Sequence, residues 1–334
     1  MSKQEPSRSA VQAARRSAAW TYRSGGAVVR CSGSDRIDFL HRMTTNDLTK
    51  LVPDHGIQTV IVNEKARIID VVMVLQGNDE ALLLGSQGTS SQITTWLKKY
   101  VITDDVRFAD LSSQHACIEI MGPRSAEVVE GMFSIDCSKW LLGQWARIDV
   151  DGRVATVVRM PSSCEVSYWI VAEIPTLDVF REVLTANAAS IPMLELADYE
   201  YLRVLSGMGA YDHELSEAYN PLEAGLLHLT SFTKGCYIGQ EVIARLDSYN
   251  KVKQRIMTLV AKAELHEGDV VMRDATPVGV ITTVTRSCDS STSLALAYVR
   301  GEHAVSESSI QIASGDVLIE AMQYLPPYVD ASCQ

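Results

Sequence analysis

The run FTKGCYIGQEVIARL, Phe232 to Leu246, sets a thiol between two glycines, beside a lysine and ahead of a Gln-Glu pair. Gly235 and Gly239 open backbone conformations closed to other residues. Gln240 and Glu241 read as the start of a helix, where the dipole favours a carboxylate. Val242, Ile243 and Leu246 would face the core. Cys236 then stands just before a helix N-terminus and close to the ammonium of Lys234, and both features favour thiolate over thiol. A thiolate in that setting can bind iron transiently, take up sulfur or sense oxidation. The plain alternative is a small buried cysteine in a structural turn.

Other chemical signals are weak. The chain has no G-x-x-x-x-G-K-[ST] phosphate loop and no G-x-S-x-G nucleophile elbow. SGMGAY at Ser206–Tyr211 has a G-x-G without the third glycine of a dinucleotide fingerprint. HEL at His213 and HEG at His266 lack the second histidine of a zincin, so no metal site is expected. The 7 cysteines, Cys31, Cys117, Cys137, Cys164, Cys236, Cys288 and Cys333, include no C-x-x-C pair. They read as free thiols in a reducing cytoplasm, or in the mitochondrial matrix of a eukaryotic cell.

At 334 residues the chain suits two or three domains. Its net charge of −11 makes it a poor general binder of nucleic acid or of anionic membrane, so an anionic ligand needs a local cationic pocket. No apolar run approaches the ~20 residues of a membrane span. The first twenty residues are Arg- and Ser-rich and read as a flexible tail leading into a helix, with a mitochondrial transit peptide as the alternative. A strand at AVVRC precedes a helix capped by Ser34 or Asp35, with Ile37, Leu40 and Met43 on one face. Three strands follow, Gln58–Val62, Ile68–Leu75 and Ala81–Leu84, then an amphipathic helix with Ile93, Trp96, Leu97 and Tyr100 on one face. ACIEIMGPRSAEVVEGMF reads as strand, turn and helix. GRVATVVRM and SYWIVAEI are strands, followed by a helix over 177–189. Beyond Asn250, QRIMTLVA, GDVVM, TPVGVITTVT, LALAYV and DVLIEAMQY are short strands between turns, a small barrel or sandwich. The mixture predicts an α+β protein with antiparallel sheets.

KGCYIGQE, with Arg245 after it, resembles the signature of the YgfZ family of folate-binding proteins, paralogues of aminomethyltransferase, the T-protein of the glycine cleavage system. FLHRMTTNDL, VNEKARIIDVVMV, MGPRSAEVV, YLRVLSGM with NPLEAGL, and GDVVMRDATPVGVITTVT extend the resemblance over about residues 25 to 325. It implies a GcvT-like three-lobed ring: a tail over 1–20, two interleaved α+β lobes over 21–249, and a C-terminal β-barrel over 250–334. A central cavity would hold tetrahydrofolate or a one-carbon derivative. Arg203 matches the family's folate-contacting arginine, against the plain reading of a surface ion pair. Lys234, Tyr237, Gln240, Glu241 and Arg245 are further folate-binding candidates. Cys236 is the candidate reactive thiol.

Two departures bear on activity. The T-protein carries an Asp-Asp pair after the strand turn, and its catalytic aspartate aligns with Val71. A valine cannot hold or move a proton. Asp70 could replace that acid only if the strand register shifted, because neighbouring strand residues face opposite sides. MPSSCEV also stands where the T-protein has G-Y-T-G-E. The resemblance therefore implies a folate-binding protein that supports iron–sulfur client enzymes or their assembly factors. The rivals are an aminomethyltransferase and a scaffold without ligand.

Overall fold

The computed structural model describes residues 5–248, 252–289 and 291–330. The expected domain boundary between 249 and 250, the first four residues of the expected tail, and Cys333 lie outside the described residues. Within them, most of the expected tail is ordered structure. Helix α1 (Arg8–Arg16) turns Ala10, Val11 and Ala14 inward. There they join a core that includes Tyr201, Leu202 and Leu205. Small alanines between arginines give a weak apolar signal, so this buried stripe does not stand out in the sequence. Strand β1 (Ala19–Arg23) follows directly.

The chain then leaves β1 and builds a different sheet. Strands β2 (Gly26–Ser32), β3 (Gly56–Val62), β4 (Ile68–Gln76), β5 (Glu80–Gln87) and β6 (Arg107–Asp110) pair in the order β3-β4-β5-β2-β6. Helices α2 (Arg36–Met43) and α3 (Ser90–Lys98) share a core with one face of it, where Phe39, Leu40, Ile93 and Leu97 meet Val72 and Val74. β7 (His115–Met121) then returns to pair with β1. With β8 (Trp145–Val150), β9 (Arg153–Met160) and β10 (Ser167–Glu173) it forms a second antiparallel sheet, β1-β7-β10-β9-β8. Helices α4 (Ser125–Phe133) and α5 (Ile174–Ala186) cover this sheet through Val129, Leu177 and Phe180. Because β1 belongs to the second sheet and β2 to the first, the two α+β lobes are interleaved.

Helices α6 (Leu196–Ser206) and α7 (Gln240–Ser248) lead to the barrel. Its strands are β11 (Gln254–Ala261), β12 (Val270–Arg273), β13 (Thr276–Arg286), β14 (Ser293–Arg300), β15 (Ser308–Ser314) and β16 (Val317–Tyr324). They close in the order β11-β14-β13-β12-β15-β16. β15 is not evident in the sequence. Its inward residues are Ile310 and Ile312, and polar residues surround them, so pairing with β12 and β16 defines it. The architecture is the expected α+β one: two interleaved lobes with antiparallel sheets and a closed barrel.

Candidate functional site

The two sheets, α6 and the barrel together line a cavity of about 1380 Å³. β4 shows how the strands divide their side chains. Val71 and Met73 line the cavity, while Val72 and Val74 pack into the core shared with α2 and α3. Asp70 goes with the core side. Its carboxylate is fully buried and accepts hydrogen bonds from the Val71 amide at 2.8 Å, the Ser86 amide at 2.9 Å and the Thr89 hydroxyl at 2.6 Å. Burial raises its pKa, and the bonds from Thr89 and Ser86 oppose the rise. Asp70 is not part of the cavity lining: the β3–β4 pairing runs unbroken from Asp70 to Leu75, and its irregularity, between Ile61 and Val62, lies before Asp70. With Leu84 on β5, Val71 and Met73 give this wall an apolar surface.

The facing wall comes from the second sheet. Thr21, Glu119 and Trp169 are cross-strand neighbours on β1, β7 and β10. Glu119 is almost completely buried; it accepts from the Ser167 hydroxyl at 2.8 Å and from Arg23 at 2.9 Å. The Arg23 guanidinium lies 4.6 Å from the Trp169 ring centroid and 5.2 Å from that of Tyr199, whose hydroxyl it also bonds. Burial works against the Arg23 charge, but Tyr199 and Glu119 outweigh it and its pKa is raised. Sequence reasoning missed this cluster. Its one signal is a lone carboxylate, Glu119, in the otherwise apolar strand ACIEIM.

Arg203 does line the cavity, yet its donors are spoken for. Nε bonds the Glu200 carboxylate at 3.1 Å. Nη1 bonds the Met208 carbonyl at 2.7 Å and Glu214 at 2.9 Å. Nη2 bonds Glu200 at 2.7 Å and the Thr283 hydroxyl at 3.0 Å. Glu214 is fully buried and also accepts from Thr283 at 2.7 Å, from Thr282 and from the Ala210 amide at 3.0 Å. Burial alone would raise the Glu214 carboxyl, but the Arg203 charge and these donors hold it below its ordinary value. Arg203 is thus neither a surface ion pair nor an open anion grip. It ties α6 to the loop at 207–215 and to β13. Next to it, His213 donates from Nδ1 to the Thr282 carbonyl at 3.0 Å and lines the cavity. A third arginine, Arg255 on β11, lines the cavity and is exposed. Among the described residues no carboxylate lies within ion-pair distance of it.

The remaining residues singled out in the sequence lie elsewhere. Lys234, Tyr237, Gln240, Glu241, Arg245 and Cys236 are absent from the cavity lining. Lys234 is buried, and its ammonium donates to the carbonyls of His41, Thr44 and Asn46, the latter two at 2.7 Å. It therefore caps the C-terminal end of α2, where helix carbonyls lack partners. Burial brings its pKa down to about 8. Tyr237 is buried beneath it, with Nζ 4.8 Å from the ring centroid, and burial raises its phenol to about 12. Glu241 and Arg245 are exposed on α7 and Gln240 is half-buried. Cys236 is exposed and stands four residues before α7, which begins at Gln240 as expected. Cys31, Cys117, Cys137 and Cys164 are buried free thiols, whereas Cys288 is disulfide-bonded, contrary to the expectation of free thiols throughout.

The two motif glycines differ. Gly239 has φ +79°, and a Cβ there would come within 3.0 Å of the Asn63 carbonyl oxygen and 3.1 Å of Ala66. A Cβ on Gly235 would meet nothing within 4 Å. Gly239 lets α7 begin against the β3–β4 turn; no contact requires Gly235.

Comparison with known proteins fits this geometry. The GCVT N-terminal domain family matches residues 3–234, and the glycine cleavage T-protein C-terminal barrel domain matches 254–330. The chain belongs to the GCVT family. A chloroplastic transferase-like protein of Arabidopsis thaliana is 31% identical over 91% of this chain and 71% of its own length. The aminomethyltransferase of Geobacillus kaustophilus is 26% identical over 86% of this chain and 80% of its own length. The crystal structure of the glycine cleavage system aminomethyltransferase T of Bartonella henselae superposes with a TM-score of 0.84, covering 96% of this chain and 89% of that one at 17% identity. No helix among the described residues is long and apolar enough to cross a membrane.

Removing Arg203 leaves Glu214 buried without its counter-charge. Arg203→Ala is expected to lose about 3–5 kcal/mol of stability in urea denaturation. Glu214 has a folded pKa below its ordinary 4.5, so its contribution is full above that value and is lost as pH falls through the lowered one. The acid limb of the stability profile should accordingly flatten in Glu214→Gln. Gly239→Ala should cost about 1–2 kcal/mol, because its φ is left-handed, while Gly235→Ala should stay within about 0.5 kcal/mol of the parent.

Proposed function

We propose that this protein binds tetrahydrofolate, or a one-carbon derivative, in the central cavity and supports iron–sulfur enzymes in the manner of YgfZ-type proteins, without transferring an aminomethyl group. The observation that carries this reading is Val71. It occupies the cavity wall at the position where the T-protein resemblance puts the catalytic acid, and the neighbouring Asp70 carboxylate is turned into the core. No carboxylate from β4 reaches the site.

The lining suits a reduced folate. Such a ligand carries a flat bicyclic head rich in donors and acceptors, a benzoyl ring and an anionic glutamate tail. The cavity exceeds the ~300–1,000 Å³ usual for small-molecule sites, so its size admits all three parts. Val71, Met73, Leu84 and Met160 supply apolar surface for the rings, Trp169 and Tyr199 supply aromatic area, and the Glu119 carboxylate supplies a buried acceptor. Arg203 acts on this site by holding α6 and β13 in place. Cys236 belongs to the same proposal as a solvent-facing thiol that acts toward a client protein rather than toward the cavity.

Calorimetry with tetrahydrofolate should give micromolar affinity, roughly −8 kcal/mol. An assay with aminomethyl-lipoyl carrier protein and tetrahydrofolate should show no turnover. A rate near the ~10 s⁻¹ typical of enzymes would establish the aminomethyltransferase reading instead. No heat at millimolar folate would leave a scaffold. Iodoacetamide should label Cys236 ahead of Cys31, Cys117, Cys137 and Cys164, whether or not folate is present. Cys236→Ser should keep folding and folate affinity but lower iron–sulfur enzyme activity in cells lacking the native protein; full activity there would make the thiol structural.

A further inference from the structure

Part of the cavity wall is made by the C-terminal end of the chain. After β16, Leu325 and Pro326 line the cavity. The run from 325 to 330 then lies along α6 with alternate residues inward. Pro326 and Tyr328 are half-buried and Asp330 is buried, whereas Leu325, Pro327 and Val329 are exposed. The Pro326 ring fills the space that a Cβ on Gly207, at the end of α6, would take. The Tyr328 amide donates to the Leu205 carbonyl at 2.8 Å. The Tyr201 hydroxyl donates to the Asp330 carboxylate at 2.7 Å, and both residues are buried. Hydrogen bonds that water can replace hold a chain end weakly. Cys288 supplies a stronger hold. It stands half-buried in the turn between β13 and β14 and packs, like Tyr328, against the core that contains Tyr201. It is disulfide-bonded. The chain has 7 cysteines, and Cys31, Cys117, Cys137, Cys164 and Cys236 are free, which leaves Cys333 as its partner. In the sequence Cys333 follows Asp330 by three residues.

From this we infer that a disulfide between Cys288 and Cys333 clasps the C-terminal strap over α6, and that its reduction by a dithiol frees the strap and opens the cavity beside Pro326. One thiolate of the dithiol attacks a sulfur of the bond, a mixed disulfide forms, and the second thiolate resolves it. The S–S bond of the protein is reduced to two thiols, the dithiol is oxidised to a disulfide, and its two protons end on Cys288 and Cys333. With the bond intact both ends of the strap are tied, one to β16 and the other to the β13–β14 turn, so open states are restricted. With the bond broken the strap has a free end, and only its packing and its hydrogen bonds to α6 keep it closed. The inference concerns access to the cavity and is independent of the folate reading.

Peptide mapping of the whole protein under non-reducing conditions should recover the Cys288–Cys333 link. Amide exchange read by mass spectrometry then compares the oxidised protein, the protein reduced with dithiothreitol, Cys288→Ser and Cys333→Ser. Exchange in the peptide carrying the Tyr328 amide should be about tenfold faster in the last three. Dithiothreitol should add nothing in either serine variant. Strands β13 and β14 should exchange as in the oxidised protein, which separates release of the strap from misfolding; Cys333→Ser carries the test if Cys288→Ser does not fold. Hydroxyl-radical footprinting should label Tyr201 and the cavity residue Met208 severalfold faster in the serine variants than in the oxidised parent, with the fully buried Tyr298 as the unchanged control. Absence of the Cys288–Cys333 link, or equal exchange at Tyr328 with and without it, overturns the inference. Faster exchange at Tyr328 with unchanged labelling of Met208 also overturns it, because the bond would then staple the chain end without governing the cavity.

Discussion

The cavity exists in its present shape because a buried ion pair is satisfied at every polar atom. Arg203 and Glu214 are both buried, and burial of either charge alone is expensive. The arrangement avoids that cost by giving each guanidinium N–H an acceptor and giving Glu214 donors from two threonines and a backbone amide. The partners belong to α6, to the loop at 207–215 and to β13. A shift of any one of these elements would strand a buried charge. The pair is weak evidence for net stability, since an apolar replacement of the whole set can do as well. Its consequence is positional: it sets how the barrel meets the lobes and hence where the cavity walls stand.

Once those walls are placed, strand alternation decides the chemistry they present. β4 sends Val71 to the cavity and Asp70 to the core, where the Val71 and Ser86 amides and the Thr89 hydroxyl donate to its carboxylate. One residue of register separates an acidic wall from an apolar one. On the opposite wall the same alternation brings Thr21, Glu119 and Trp169 into one row, with Arg23 beside them. The site that results has much binding surface. Its carboxylates come from the second sheet, from α6 and the residue before it, and from loops at 223 and 267, and none comes from β4.

The Lys-Gly-Cys motif shows how a conspicuous sequence feature divides its labour. Lys234 looks like a cation for a thiolate or a ligand. Its three donors instead close the C-terminal end of α2, and Tyr237 packs beneath it. Gly239 is required by a left-handed backbone against the β3–β4 turn, and Gly235 meets no neighbour. With the lysine turned inward, Cys236 is left on the surface as the chemically available atom of the motif.

Much of the fold was legible in the chain itself. Short apolar runs between turn residues marked β2 to β5, β7, β9, β10 and most of the barrel, and the Ile93–Tyr100 spacing marked α3, because burial of a strand or of a helix face selects those patterns locally. α1 and β15 were not legible, since their few apolar residues become a core only against α6 or against β12 and β16. The site divides the same way. That Val71 and Asp70 point to opposite sides follows from strand geometry, and the sequence alone sufficed to say it. Which side is the cavity, that Arg203 is consumed by Glu200 and Glu214, that Lys234 is a helix cap, and that Arg23, Glu119, Trp169 and Tyr199 form one cluster were decided by contacts between residues up to 193 positions apart. Such pairings carry no periodic trace in one sequence, because the partner of a charge is chosen by which elements fold together.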